Sequence, residues 1–509
     1  MRKLGTLFLG VLTVGLGTMG GFGCAKAGPL PQSPSAAKAT DGATPMTDEQ
    51  LAATDGATDG AGGGTGTGYG VATNKGGDGR TAKNGTWIGA AAEGDVLSST
   101  TRETFLGVWV DVPEVRAEVR PPMEVVLVVD TSGSMAGSKI ESARAAATTL
   151  VRSLKDGDIV ALDSFSDDAR TLVAPTRLDM HTRTEILRQI AQLVPAGSTN
   201  MFSGLSMAES QMAAAPASHA LRRVVMISDG IANIGPSSPE VLGSLAQNGL
   251  RFRAQVTSFG VGNDYDERTL NALSIRSSGR LYHIGEPREM SAILRNELAL
   301  LDATLASDAS VEVVAAPGVQ VLGAEGVRAE FHDGALRIPL GALHGGQHRE
   351  ALVRVRIVDP GAFEGHSRSL ASVRLRFRDS AEGDLERIQE VVARTQLSSD
   401  EAIVARSVSS RTKAIVAIMD ASKTEMSAAQ RINDGNFVDA DKELERAQQT
   451  LAAQAAVVTA PAEKKRLEVA ANKVATVRAA ARAMPSAPKA AQRAGALELN
   501  ADAMHAQGF

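Results

Sequence analysis

The chain has one cysteine, Cys24, among its 509 residues. An internal disulfide and a metal site built from several thiolates are therefore excluded. Aromatic residues make up only 3% of the chain, so a hydrophobic core has to come mainly from Val, Ile, Leu and Ala. The net charge of −5 is mild and gives no reason to expect nucleic acid as a partner.

The N-terminal apolar run, residues 4–19, is too short and too rich in glycine for a convincing membrane span. It follows Arg2 and Lys3 and leads through small residues to Cys24, a pattern typical of an export signal. The segment resembles a bacterial lipoprotein signal, in which the cysteine is lipidated, although Gly21 stands where such signals usually have Leu. We therefore expect a signal peptide at 1–23 and lipid anchoring in the cell envelope, on an outer-membrane, periplasmic or surface face. A plain secretory peptide, and hence a secreted protein, is the alternative.

Composition divides the rest of the chain into segments. Residues 24–94 are rich in Gly, Ala and Thr and are predicted to be a disordered tether. Strands of a β domain are expected at 95–120. Residues 121–302 alternate strand and helix, which predicts a doubly wound α/β domain with helices on both faces of a parallel sheet.

The remaining segments predict two further structural regions. Residues 309–380 contain short strands split by Gly-rich turns, as in a β-sandwich. If the early strand at 105–112 belongs with them, the α/β domain is an insertion in the β domain. Residues 384–485 are Ala-rich and predict a helical bundle, and 486–509 an ill-ordered tail.

The central strand of the α/β domain is predicted at residues 125–129, where five Val and Leu residues follow one another. This run ends in Asp130, and Ser132 and Ser134 follow at alternate positions. All three side chains offer hard oxygen donors. In open α/β sheets, ligands bind in the crevice beyond the carboxyl ends of the strands, so a metal-binding loop is expected there.

Two further residues can complete such a site. Thr199 lies in the loop between the two middle helices, and Asp229 follows the next buried strand, at 223–228. Asp229 is expected at the same sheet edge as Asp130, because parallel strands end at one edge. Both Thr199 and Asp229 can then converge on Asp130. The alternative to a metal site is that Asp130, Ser132 and Ser134 only cap the helix that follows them.

Together these motifs resemble the metal ion-dependent adhesion site of the von Willebrand factor type A domain, over roughly residues 121–302. The resemblance implies that Ser132, Ser134 and Thr199 ligate a cation directly, while Asp130 and Asp229 act directly or through water. The cation is expected to be Mg²⁺, or else Mn²⁺ or Ca²⁺. A Glu or Asp of a partner protein would then fill the open coordination position.

The chain as a whole resembles bacterial proteins related to inter-alpha-trypsin inhibitor heavy chains, often labelled Ca-activated chloride channel homologues. This implies a binding module and not an enzyme. One alternative is a Mg²⁺-dependent hydrolase with Asp130 as nucleophile, but the haloacid dehalogenase pattern needs a second Asp where Ser132 stands. The other is a chelatase-like assembly factor working with an ATPase, which the export signal disfavours.

Other polar positions carry weaker predictions. Asp163 interrupts an apolar strand, as a buried and partnered carboxylate or at an edge. Asp266 is predicted to cap a helix and not to bind a second cation. His344 and His348 flank a predicted strand connection, which disfavours metal ligation.

Overall fold

The structure, a computed structural model, describes residues 73–74, 85–114, 120–229, 231–262, 265–284, 286 and 289–506. The predicted signal peptide, Cys24 and most of the predicted tether lie outside the described residues. Among the helices that are described, none is both long and apolar enough to cross a membrane.

The described chain contains the following strands and helices. The strands are β1 Thr73–Asn74, β2 Ile88–Ala92, β3 Val96–Ser98, β4 Glu103–Asp111, β5 Met123–Asp130, β6 Ile159–Phe165, β7 Ala169–Arg177, β8 Leu221–Ser228, β9 Ala254–Val261, β10 Leu281–Ile284, β11 Thr304–Ala315, β12 Val319–Glu325, β13 Glu330–His332, β14 Ala335–His344, β15 His348–Ile357, β16 Arg368–Asp379 and β17 Leu385–Ser398. The helices are α1 Ser138–Ser153, α2 Met180–Ala191, α3 Met201–Ala213, α4 Pro239–Asn248, α5 Glu267–Arg276, α6 Met290–Asp302, α7 Glu401–Arg406, α8 Ser410–Asn433, α9 Phe437–Val457, α10 Pro461–Ala483 and α11 Lys489–Ala506.

The α/β domain is a sheet in the order β10-β9-β8-β5-β6-β7, parallel except for β7, which pairs antiparallel with β6. Every residue of β5 is buried. Leu127 and Val129 pack in the core on one face of the sheet, whereas Val126 and Val128 pack in the core on the other. The prediction of a doubly wound domain around residues 125–129 is confirmed, because a strand covered on both faces has no polar side.

The β domain consists of a seven-stranded and a four-stranded sheet whose inner faces share one hydrophobic core. β4 precedes the α/β domain in the chain, yet it pairs antiparallel with β15, which follows that domain. The α/β domain is thus inserted between β4 and β11. Arg120, just before the first strand of the inserted domain, forms an ion pair at 2.7 Å with Asp302, the last residue of its last helix. Arg120 also pairs with Asp158 at 2.6 Å.

Helix α6 is fixed to the sheet by one buried carboxylate, Glu297. It accepts hydrogen bonds from Thr257 Oγ1 at 3.0 Å, Tyr282 OH at 2.8 Å and Arg280 at 3.2 Å. Burial alone would raise the pKa of Glu297, but the guanidinium groups of Arg280 and Arg223 outweigh burial and lower it to about 2. Glu297 is therefore a charged, fully partnered anchor within the core.

The predicted tether extends to residue 94, but residues 88–92 form β2, which pairs with β4. The Gly and Ala content of β2 suggested disorder. These small residues instead allow close packing, because the Trp109 ring lies so near Gly89 that a Cβ there would be 2.2 Å from Trp109 Nε1. The tether prediction is wrong for this stretch.

The helical region was predicted from residue 384, but residues 385–398 form β17 and the first helix begins at Glu401. Buried positions alternate along β17 as in any half-buried strand, yet several are polar, among them Arg387, Gln389 and Thr395. Gln389, for example, accepts a hydrogen bond from Trp87 N at 2.7 Å. Buried polar residues hid the alternation from a pattern based on hydrophobicity.

The predicted ill-ordered tail, 486–509, contains α11 up to residue 506. Ala496 and Leu499 of this helix pack in the core of the helical bundle, and Leu497 packs in a core of the α/β domain. An Ala-rich helix has little apolar area, but it can approach its neighbours closely. The prediction of disorder is wrong for most of the tail.

The weaker polar candidates have ordinary partners. Asp163 is buried and accepts hydrogen bonds from Thr171 at 2.8 Å and Gln211 at 2.9 Å. Asp266 caps α5, as predicted. His344 is buried beside Thr304, whereas His348 is exposed and pairs with Asp111.

Glu124, in β5, should make stability depend on pH. It is fully buried, and neither carboxylate oxygen has a hydrogen-bond partner among the described residues. Burial raises its pKa to about 7. A carboxyl with a raised folded-state pKa holds its proton more tightly when folded, so stability falls as pH rises from about 4.5 to 7. We expect Glu124→Gln to be more stable than the wild type at pH 8, by up to about 3 kcal/mol, and similar at pH 4.

Urea denaturation at the two pH values measures this difference. Glu468→Gln, at an exposed position of α10, is the control and should change stability little at either pH. A Glu124→Gln variant less stable than the wild type at pH 8 would contradict the prediction.

Candidate functional site

The candidate site lies at the carboxyl ends of β5 and β8. Asp130, the last residue of β5, is fully buried and is oriented by two donors. Its Oδ1 accepts a hydrogen bond from Ser132 N at 2.8 Å, and its Oδ2 accepts one from Ser228 Oγ at 2.6 Å. The carboxylate is therefore held in one orientation before any ligand binds.

A chain of hydroxyl groups joins this loop to the neighbouring strand. The Oγ atoms of Ser132 and Ser134 lie 3.0 Å apart, and Ser134 Oγ donates to Asp229 Oδ1 at 2.8 Å. Asp130, Ser132, Ser134 and Asp229, four of the predicted residues, thus form one continuous hydrogen-bonded group.

The fifth predicted residue, Thr199, lies in a loop that contacts the segments following both strands. Gly133 N donates to Gly197 O at 3.0 Å, which ties the Thr199 loop to the Asp130 loop. On the other side, Thr199 N donates to Asn233 Oδ1 at 2.9 Å, and Thr199 O accepts from Asn233 N at 3.0 Å. These contacts bring Thr199 to the same edge of the sheet as the other four.

Gly197 shapes this loop. Its φ of +79° lies in the left-handed region, and a Cβ there would stand 2.7 Å from Asp167 Oδ2. Asp167 in turn accepts a hydrogen bond from Ser198 N at 2.9 Å. The close approach of this carboxylate to the backbone, and hence the loop conformation, depends on a residue without a side chain.

The electrostatics of the site favour a cation. Burial raises the pKa of Asp130 to about 6 and the negative charge of Asp229 adds to the rise, while hydrogen bonds from Ser132 and Ser228 oppose it. Asp229 itself is buried and pairs with the ammonium group of Lys139, in the first turn of α1. A positive charge therefore already meets one of the two carboxylates.

Lys139 and Ser228 were not among the predicted site residues. Lys139 stands 90 positions before its partner Asp229, and no spacing in the sequence signals that contact. Ser228 directly precedes Asp229 and is a polar residue at the end of an apolar strand. That position could have indicated that it belongs to the site.

The alternative that the serines cap a helix does not describe this loop. Ser132 makes no side-chain capping bond to the short helical turn that follows it, and α1 begins after Gly137, which has no side chain to cap with. The hydroxyls of Ser132 and Ser134 bond to each other and to Asp229 instead.

The donor set fits a hard cation such as Mg²⁺. It consists of oxygen atoms only, three from hydroxyl groups and the rest from two carboxylates. Within the described residues there is no cluster of three or more His, Cys, Asp and Glu side chains suited to a metal ion, so a site here depends on the hydroxyls.

A family model for the von Willebrand factor type A domain matches residues 124–296. This part of the chain is a von Willebrand factor type A (vWA) domain. The predicted resemblance of residues 121–302 to this family is therefore confirmed, while the role of the site residues stays a prediction. Domains of this family commonly mediate protein interactions and adhesion.

Known proteins share this domain and, in one case, more of the fold. The uncharacterized protein YfbK of Escherichia coli (strain K12) is 26% identical over 214 residues, covering 42% of this chain and 37% of that protein. Inter-alpha-trypsin inhibitor heavy chain H3 of Mesocricetus auratus is 27% identical over 183 residues, covering 34% of this chain and 20% of that protein. The matches thus span well under two thirds of either relative. A solved von Willebrand factor type A structure from Catenulispora acidiphila covers 83% of this chain and 98% of its own, with 17% identity and a TM-score of 0.67, which shows a shared fold.

The vWA domain should tolerate a side chain poorly at Gly197. Gly197→Ala adds both a left-handed φ penalty and the contact with Asp167, so we expect a loss of roughly 2 to 3 kcal/mol in unfolding free energy. Gly383 is the control, since its φ of +68° also lies in the left-handed region but a Cβ there would meet nothing within 4 Å. Gly383→Ala should cost only about 1 kcal/mol of unfolding free energy in a urea titration of both variants. Equal losses in the two variants would mean that Asp167 moves aside freely.

Proposed function

We propose that the vWA domain is a divalent-cation-dependent module that binds a protein partner. Asp130, Ser132, Ser134, Thr199 and Asp229 would hold the cation, which we propose to be Mg²⁺, with Mn²⁺ and Ca²⁺ as substitutes. The observation that carries the proposal is the hydrogen-bonded group of hydroxyls and carboxylates at one edge of the sheet, already met by the ammonium group of Lys139.

The balance of donors suits binding. Three neutral hydroxyls and only two carboxylates would leave the ion strongly attractive to a further anionic oxygen. A Glu or Asp side chain of the partner can supply that oxygen. In this proposal the protein's own role is to orient the donors, as Ser228 does for Asp130.

The surface next to the site supports a protein as the partner. Val194 is 69% exposed in the segment leading to Thr199, and Ile231 and Ile234 are 59% and 37% exposed in the segment after Asp229. Exposed aliphatic side chains on both flanking loops offer area that a protein surface can bury. A small hydrophilic solute would gain nothing from them.

Calorimetric titration with Mg²⁺ and Mn²⁺ tests the cation site. We expect Asp130→Asn and Thr199→Ala to weaken binding at least about tenfold, because the first removes a negative charge and one carboxylate oxygen and the second removes a hydroxyl. Thr149→Ala, which removes a hydroxyl that donates to Ala145 O at a half-buried position of α1, should bind as the wild type does. Equal cation affinity in Asp130→Asn and the wild type would contradict the proposed site.

Lys139→Met provides a control of opposite sign in the same titration. The wild-type ammonium group has to release Asp229 before a cation can use that carboxylate. Its removal should therefore raise cation affinity while lowering the melting temperature in the absence of a cation, since a buried carboxylate then lacks its partner. Weaker cation binding in Lys139→Met would contradict competition between the two.

We also propose that the protein is exported and anchored in the cell envelope by a lipid on Cys24. The partner would then be an envelope or extracellular protein with an accessible Glu or Asp.

Crosslinking in the source cells, followed by fractionation, tests both the lipid anchor and the cation-dependent partner. We expect a crosslinked product in the membrane fraction that a chelator or Thr199→Ala abolishes, and we expect Cys24→Ser to leave that fraction. Retention of Cys24→Ser on the membrane would contradict the lipid anchor, and a chelator-resistant product would contradict cation dependence.

A further inference from the structure

A cavity of about 330 Å³ lies between the vWA domain and the β domain. Met123 and Leu221, the first residues of β5 and β8, line it on one side, and Ser307 of β11 and Pro339 of β14 line it on the other. It therefore opens at the amino ends of the parallel strands, at the opposite edge of the sheet from Asp130. Its volume is in the range of small-molecule sites.

The lining of the cavity is strongly basic. Two carboxylates, Asp308 and Glu330, line it together with six guanidinium groups. The arginines come from both domains and are Arg222, Arg223, Arg251, Arg253, Arg328 and Arg337.

Ion pairs account for three of these arginines. Arg223 lies 3.9 Å from Glu297, Arg253 lies 3.1 Å from Asp384, and Arg328 lies 3.0 Å from Glu330. Both carboxylates of the lining are engaged as well, since Asp308 lies 3.7 Å from Arg253.

The other three arginines have no such partner among the described residues. The N–H groups of Arg222 all donate to backbone carbonyls, those of His219, Met212, Phe252, Ala215 and Pro216, so Arg222 contributes positive charge but no free donor. Arg251 stacks over the ring of Phe252 at 4.8 Å. Arg337, on β14, faces them from the β domain. Each of the three is attracted by one carboxylate without forming an ion pair: Arg222 by Glu124, Arg251 by Glu209 and Arg337 by Asp308.

We propose that this cavity binds a small polyanion, a molecule with at least two phosphate or carboxylate groups. Arg251 and Arg337 can bind both kinds of oxyanion through paired N–H donors, and Arg222 adds a third positive charge that forms no ion pair. Three such charges exceed what a single negative charge can balance. A ligand that reaches both Arg251 and Arg337 contacts the vWA domain and the β domain at once. It would hold the two domains together, independently of a cation at Asp130.

The test uses the full chain in buffer free of divalent cations, because the probes themselves chelate such ions. Sodium pyrophosphate and sodium citrate are titrated separately by calorimetry at constant ionic strength, and the melting temperature is recorded with each. We expect saturable binding of at least one probe and a rise in melting temperature, because binding to the folded state alone stabilises it. The stronger probe distinguishes a phosphate ligand from a polycarboxylate.

Arg337→Ala and Arg251→Ala, one in each domain, should each weaken that binding roughly tenfold or more, as expected for loss of charge-assisted hydrogen bonds. Arg394→Ala, at an exposed position of β17 outside the cavity, is the matched control and should leave affinity unchanged. Because Arg251 is itself exposed, its variant keeps the test valid if Arg337→Ala folds poorly. Absence of binding by both probes, or equal weakening in Arg394→Ala, would overturn the proposal.

Discussion

The arrangement of the two domains depends on the buried carboxylate of Glu297. A charged group within a core is tolerable only when its partners are complete, and here Arg280, Tyr282 and Thr257 all converge on it. Thr257 lies on β9, Tyr282 on β10 and Arg280 directly before β10, so these partners hold α6 against the sheet in one position. Because β11 begins two residues after α6 ends, the same contacts also set where the chain enters the β domain.

The structure could be predicted from the sequence where a residue pattern is compatible with only one kind of element. Five consecutive Val and Leu residues can be covered on both faces only in a central strand, and that strand places Asp130 at the sheet edge. Asp229 follows from the rule that parallel strands end together, whereas Thr199, in the loop between α2 and α3, was predicted from the motif. The family match over residues 124–296 agrees with this inference, and cation binding by these residues stays a prediction.

The rest could not be predicted because polar and small residues occupy buried positions. β17 buries Arg387 and Gln389 where a simple alternation requires apolar residues, and β2 and α11 use Gly and Ala for close packing. Lys139 illustrates a different limit. Its meeting with Asp229 is created by the packing of α1 on the sheet, and no local pattern encodes such a contact.

Arg120 has a mechanical consequence. Its ion pair with Asp302 joins the two ends of the vWA domain, where the chain arrives from β4 and continues into β11, and its ion pair with Asp158 fixes it to the domain itself. These two strands belong to different sheets of the β domain. A pulling force applied at the Asp130 edge would therefore run lengthwise through the inserted domain and divide between both sheets, so that neither strand has to carry the load alone.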